Sequence, residues 1–327
     1  MSARLVNSYL SALIAISFQT AHTHAADSAA FPIKPVRMVV PLAPGGGSDI
    51  VGRIVALALT DKWGQAVVVD NRPGAGGNIG NSIVAKSAAD GYTLLVSSST
   101  MAISTALYRN AGADIVRDFQ PVTLLASQPS IIAIHPAVPA KSLKELIALM
   151  KTQPGKYSFG SAGTGTASHL ANEQFALAAG VKTLHIPYKS AGLATTALLG
   201  GEIQFMVTNM ATALPQVRAA RLRGLAVTST QRVATAPELP TAREAGLADY
   251  DYTTWYAMLL PARTPQARVS GIHADTTGVL RQREVRERFA GQGLDVIGSG
   301  INEFAGYLKA EVAKWGGVVQ VAGVATH

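Results

Sequence analysis

Short apolar runs alternate with amphipathic stretches along most of the 327-residue chain. "RMVVPL" (37–42) reads as a strand and leads into a helical pattern over 48–62. "AVVVDN" (66–71) precedes the helical "GNIGNSIVAKSAA", and "GYTLLVSSS" (91–99) precedes "TMAISTALY". Such a βαβ series predicts a parallel sheet with helices on both faces. The pattern then restarts. "PSIIAIHP" is a strand, and "SLKELIALMK" a helix with Ser142 as its N-cap. Residues 156–180 read as strand, glycine loop and helix. "VKTLHIPY", "IQFMVTN" and "LRGLAVTS" are strands, with the helix "AGLATTALLGG" after the first. After "DYDYTTWYAMLLPARTP" (249–265) a further strand and long helices to the end are expected.

Two α/β units without a low-complexity linker predict two lobes joined by crossing strands. "VTLLASQPSIIAI" (122–134) and "DYTTWYAMLL" (251–260) are the candidates for the crossings. Lobe 1 then comprises 27–127 and 251–327, and lobe 2 comprises 128–250. In open sheets of this kind, ligands sit beyond the carboxyl ends of the strands.

Two loops occupy that position. Gly45, Gly46 and Gly47 separate the first strand from its helix, followed by Ser48 and Asp49. In "SFGSAGTGTASHL", Gly160, Gly163 and Gly165 alternate with Ser161, Thr164 and Thr166, and a helix starts near 166–168. Glycines let backbone N–H groups approach a ligand, hydroxyls add directional donors, and a helix N-terminus favours an anion by roughly 0.3–1 kcal/mol. Facing each other across a cleft, the two loops would hold a carboxylate group from two sides. A third loop, "NRPGAGGNIG" (71–80), reads as a turn before a helix.

Nucleotide motifs fail. Ile50 stands where the dinucleotide fingerprint needs its last glycine, and no P-loop occurs. "FGSAG" is one residue short of a nucleophile elbow. His169 reads as a residue behind the pocket or in its wall, while His135, His185 and His273 read as strand-end or surface residues. A histidine-activated Ser161, with His169 as base, would make an exported hydrolase; without an orienting acid nearby, binding without reaction is the better reading. No metal cluster and no cofactor are expected.

The chain has no cysteine, which removes disulfides, thiolate metal sites and thiol nucleophiles. Its formal charge is +8. The basic residues are scattered, and "RQREVRER" (281–288) alternates in sign like a solvated helix face, so nucleic acid is not the expected partner. A mild positive field that draws in anions fits better. Arg4, the apolar "LSALIAISF" (10–18) and the small residues of "THAADSAA" read as a secretory signal peptide over 1–26, cut near Ala25 or Ala26. Export to the periplasm follows.

The chain resembles the Bug-type periplasmic solute receptors of tripartite tricarboxylate transporters. The resemblance runs from "FPIKPVRMVVPLAPGGGSDI" to "KWGGVVQVAG", through "VVVDNRPGAGGNIG", "DGYTLL", "DFQPVTLLA", "PAKSLKELI", "GKYSFGSAGTGTASHLA", "IPYKSAG" and "LRGLAVTS". It implies a two-lobed type II Venus-flytrap α/β fold with two parallel-rich sheets and a hinge. It further implies a monomeric receptor that passes a small carboxylate to the membrane subunits of a transporter; service to a sensor or orphan system is the alternative. The ligands implied are di- and tricarboxylates, acidic amino acids, nicotinate-like acids or aromatic acids.

The residues placed in the pocket are Pro44, Gly45, Gly46, Gly47, Ser48, Asp49, Ser98, Ser99, Ser161, Gly163, Thr164, Gly165, Thr166, His169, Tyr188, Thr208 and Asn209. Two positions depart from the family. Val207, Thr208 and Asn209 stand where Phe-Asp-Asn is common, and Ser190 stands where glycine is usual. Asp49 is then the one acid among the pocket residues. A buried ammonium needs an acidic partner or a full set of acceptors. A carboxylate without an ammonium is therefore the expected ligand.

Overall fold

The alternation of apolar runs with amphipathic helices produces two copies of one βαβαβ unit. A computed structural model describes residues 31–108 and 112–322; the signal-peptide segment lies outside the described residues. The first unit is β1 (Val36–Val40), α1 (Gly47–Trp63), β2 (Val67–Asn71), α2 (Asn78–Ala85) and β3 (Thr93–Ser98), and α3 (Thr100–Leu107) follows it. Its strands lie in the order β2-β1-β3, all parallel. After the long β4 (Phe119–Ile134) and α4 (Leu143–Thr152) comes the second unit: β5 (Ser158–Ser161), α5 (Ala167–Ala179), β6 (Leu184–Pro187), α6 (Ala191–Leu199) and β7 (Phe205–Asn209). It repeats the arrangement as β6-β5-β7, again parallel. Then come α7 (Met210–Arg218), β8 (Arg223–Val227), β9 (Thr253–Pro261), α8 (Gln266–Leu280), α9 (Arg283–Gly291), β10 (Asp295–Val296) and α10 (Ile301–Ala322).

The crossing strands are antiparallel to both units. β9 pairs with β3 on one side and with the first part of β4 on the other. At Pro129 the pairing of β4 with β9 ends, and from Ser130 onward β4 pairs with β7 and β8. Proline has no N–H for a ladder and is tolerated where pairing breaks. Pro129 marks that change of partner, and Pro121 lies at a register shift. The segment expected to cross is thus one continuous 16-residue strand. The further strand expected after residue 265 is a correction: α8 follows at once, and only the two-residue β10 comes later, paired to β4.

Ser142 caps α4 as its spacing predicts, accepting from Glu145 N–H at 3.2 Å. Apolar faces of both units meet in one core that runs from Val39 and Leu95 to Phe159, Phe205, Trp255 and Trp315. α10 packs on α3, β4 and α5 and so spans both units. From Lys34 onward the described residues form one compact body.

Candidate functional site

A cavity of about 230 Å³ lies between the two units, beyond the carboxyl ends of β1, β3, β5 and β7. Leu42, Gly47 and Ser48 enter it from the β1–α1 connection, and Ser98 and Thr100 from the β3–α3 connection. The second unit supplies Ala162, Thr166, Ala167 and Ser168, then Ala191, then Met206 to Asn209 with Thr212. The crossing strands supply Ser130 from β4, and Thr254 and Tyr256 from β9, with Tyr252 just ahead of it.

The first turns of α1, α3, α5, α6 and α7 therefore all reach this space. First-turn amides have no intrahelical acceptor, and the helix dipole gives each end a partial positive charge. Among the described residues no Lys, Arg, Asp, Glu or His lines the cavity. Ser48 Oγ and Ser130 Oγ line it, both about 1% exposed and without a hydrogen-bond partner among the described residues. A buried hydroxyl left unsatisfied costs about 1–3 kcal/mol. Two of them, in residues that line one cavity, mark where a ligand's acceptors would go. Burial pushes the Tyr252 and Tyr256 hydroxyls up in pKa, so both remain donors.

Of the residues placed in the pocket from sequence, Gly47, Ser48, Ser98, Thr166, Thr208 and Asn209 line it. The others do not, each for a visible reason. Pro44, Gly45 and Gly46 are exposed and are not among the residues that line the cavity. Asp49 turns inward instead of toward a ligand: its Oδ2 accepts from Gly45 N–H at 2.9 Å and Arg53 Nε at 3.0 Å, and its Oδ1 from Asn71 Nδ2 at 3.0 Å. Burial alone would raise its pKa, but these bonds outweigh burial and hold the carboxyl below its ordinary value. Gly47 has to be glycine because a Cβ there would run into the Tyr256 hydroxyl and lie 2.6 Å from its ring.

In the second loop, Thr164 is exposed. The amides of Ala162, Gly163, Gly165 and Thr166 have partners inside the loop or in α5. The loop thus presents Thr166, Ser168 and the first turn of α5 rather than bare glycine amides. Gly165, at φ +76°, makes room for Leu107 of α3 from the first unit, which a Cβ would overlap. Ser99 is buried at the start of α3, its N–H donating to Trp255 O at 3.1 Å. Tyr188 packs against Gly160 and the apolar cluster outside the cavity.

His169 and Ser161 are buried behind the second loop. His185, read from sequence as a strand-end or surface residue, is a correction: β6 pairs it with Phe159, and its ring stacks on His169 with centroids 3.8 Å apart. Its Nε2 lies 2.7 Å from Ser161 Oγ. His135 sits just past β4, as expected, while His273 is on α8 against Ser299 O. Sequence also missed Gly76 of the third loop, Ser130, Tyr252, Thr254 and Tyr256. The period-2 alternation of Tyr252, Thr254 and Tyr256 was visible, but not which face it would present. Among the described residues no cluster of three metal-ligating side chains occurs, and no helix is long and apolar enough to cross a membrane.

Two lobes of α/β structure around a cavity, with crossing strands between them, define a solute-binding protein of the periplasmic type. Residues 51–324 match the model of the tripartite tricarboxylate transporter family receptor, and the chain belongs to that family of non-enzymatic periplasmic receptors. It is 36% identical to protein BugT of Bordetella pertussis over 317 residues, 96% of this chain and 97% of that one. It superposes on Rpa4515 of R. palustris, solved with adipate, at TM-score 0.82 and 30% identity, covering 91% of this chain and all of that one. MatC from Rhodopseudomonas palustris, solved with bound malate, gives TM-score 0.78 and 29% identity over 88% of this chain and all of that one.

Proposed function

We propose that this receptor captures a small carboxylate without an ammonium group, such as a dicarboxylate or a small aromatic acid, between its two units. It is exported by a signal peptide cut near Ala25 or Ala26, acts as a monomer, and hands its ligand to the membrane subunits of a tripartite tricarboxylate transporter. The lobes are 27–127 with 251–327, and 128–250, and the hinge is where β4 changes partners at Pro129.

The observation that carries the reading is five helix N-termini on one cavity that no charged side chain lines among the described residues. Helix ends contribute roughly 0.3–1 kcal/mol each toward an anion, whereas micromolar binding needs about 8 kcal/mol. The remainder has to come from hydroxyl and amide hydrogen bonds to the charged group, about 1.5–3 kcal/mol each. Ser48 and Ser130, whose hydroxyls have no partner among the described residues, are placed to make them. The same helix ends repel an ammonium, and Asp49 has its oxygens occupied. A cavity of about 230 Å³ is smaller than the ~300–1,000 Å³ of drug-sized sites, which favours small acids. Adipate and malate, named for the relatives, are both acids of this kind.

A hydrolase reading finds no support. Ser161 is fully buried outside the cavity, its partner is His185 rather than His169, and the family is non-enzymatic.

Thermal-shift screening of matched pairs tests the proposal: succinate with aspartate, glutarate with glutamate, and adipate and malate alongside. The plain acids should stabilise most. The largest shift from an amino acid would overturn the ammonium argument, and no shift from any acid would overturn the carboxylate reading. Ser48→Ala and Ser130→Ala should each weaken binding of the best acid about tenfold or more while leaving the free protein as stable as before or slightly more so.

A further inference from the structure

Behind the second loop lies a polar cluster that no ligand contact explains. Ser161 Oγ has one proton and two lone pairs. It donates to Gly163 O at 3.0 Å and accepts from Gly163 N–H at 3.1 Å. The third partner of Ser161 Oγ is His185 Nε2 at 2.7 Å. On the other side of the loop, Gly165 N–H donates to His169 Nδ1 at 3.1 Å. With Nδ1 turned to the loop, His169 presents Nε2 to Glu173 Oε1 at 3.6 Å. The rings stack at 3.8 Å and 21°, with Phe159 stacked beyond His185 at 5.0 Å. Two cations at that separation would repel by about 4 kcal/mol even at an effective dielectric constant of 20, so the stack requires at least one neutral ring.

We infer that His169 and His185 are positioning residues: one stacked pair of imidazoles that grips the second loop at both ends, Ser161 and Gly165, and so aims Thr166, Ser168 and the first turn of α5 into the cavity. Neither ring touches the ligand space. Gly163 and Gly165 sit at φ +120° and +76°, where the backbone has little rigidity of its own, so the fixed points have to come from side chains. The inference rests on the carboxylate-receptor reading for what the loop is aimed at, but the grip itself is a property of the free protein.

The test separates acceptor from bulk. His169→Asn leaves an amide oxygen near the place of Nδ1; His169→Phe keeps a stacking ring and removes the acceptor. His185→Gln and His185→Phe do the same for the Nε2 contact with Ser161. Amide hydrogen exchange at Gly163 and Gly165 is measured in the free protein, and affinity is measured with malate and adipate as probes. The phenylalanine variants should raise exchange at their own end of the loop at least tenfold and weaken both probes at least tenfold. The asparagine and glutamine variants should restore most of both. Equal exchange in His169→Phe and the unaltered protein overturns the inference. So does an asparagine variant as impaired as phenylalanine, which would indicate bulk packing alone. Should the phenylalanine variants fail to fold, His169→Gln, whose polar group reaches too far, replaces them against His169→Asn with the same criteria. If neither probe binds the unaltered protein, the carboxylate reading falls while the exchange measurement still decides the grip.

Discussion

The first and second glycine loops read alike in sequence and are built on different physics. The first, 43–48, is held by charge: Asp49 accepts from Gly45 N–H, Arg53 and Asn71, and Asn71 reaches on to Leu42 O. The second, 161–168, is held by neutral groups, hydroxyls and two stacked imidazoles. Their glycines also serve different ends. Gly47 yields space to a tyrosine that lines the cavity, whereas Gly165 yields space to Leu107 of the opposite unit. A glycine in a loop before a helix can thus mark a ligand wall or a contact between lobes, and the residue type alone does not distinguish them.

The largest effect expected in breaking this comparison is at Gly47. Gly47→Ala drives a methyl into the buried Tyr256 ring, so carboxylate affinity should fall at least tenfold in a calorimetric titration, with about 1–3 kcal/mol lost from stability through overpacking. Gly165→Ala should destabilise by about 2 kcal/mol, from its left-handed backbone and its overlap with Leu107. Adding Leu107→Ala should return the steric part. A double-mutant cycle in urea would then show coupling of about 1 kcal/mol, whereas strict additivity would dissolve the contact between lobes.

Acid should separate the loops by pH window. Burial, and next the neighbouring His169, push the His185 pKa down to about 4, with Glu173 opposing. An unfolded histidine titrates near 6.5 and so takes up protons that the folded ring refuses. The stability tied to His185 is complete above about pH 6.5 and declines as pH falls toward 4, by roughly 1–2 kcal/mol for a half-buried, partly screened ring. Asp49 has the opposite shift in kind: a lowered carboxyl contributes stability above its unfolded value near 3.9 and loses it as pH falls below that value. Urea midpoints taken from pH 8 to 3 should flatten between 6.5 and 4 in His185→Gln, and below about 4 in Asp49→Asn. Identical profiles for the two variants would erase the distinction between charged and neutral anchors.

The smallest effect is expected at Gly46→Ala. Its φ of −82° suits any residue, and a Cβ there meets only Ala43 O at 3.5 Å. Stability should stay within about 0.5 kcal/mol and affinity should not change. A tenfold loss would put Gly46 back into the site.

The sequence by itself determined the alternation of strands and helices, the N-cap at Ser142 and, through its motifs, the family. These are local matters of periodicity and capping, written within a dozen neighbouring residues. Only the tertiary structure decided which atoms of each loop face the cavity. The alternation at Tyr252, Thr254 and Tyr256 predicts a strand with two faces, but its pairing between β3 and β4 selects the face that meets the cavity. Ser130 reaches the site because β4 changes partners beside it. His185 meets His169 because the β5–β6 register sets it beside Phe159, at the base of the helix that carries the other imidazole. Strand register and the approach of distant segments arise from burying apolar faces across the whole core, and no short stretch of sequence carries that information.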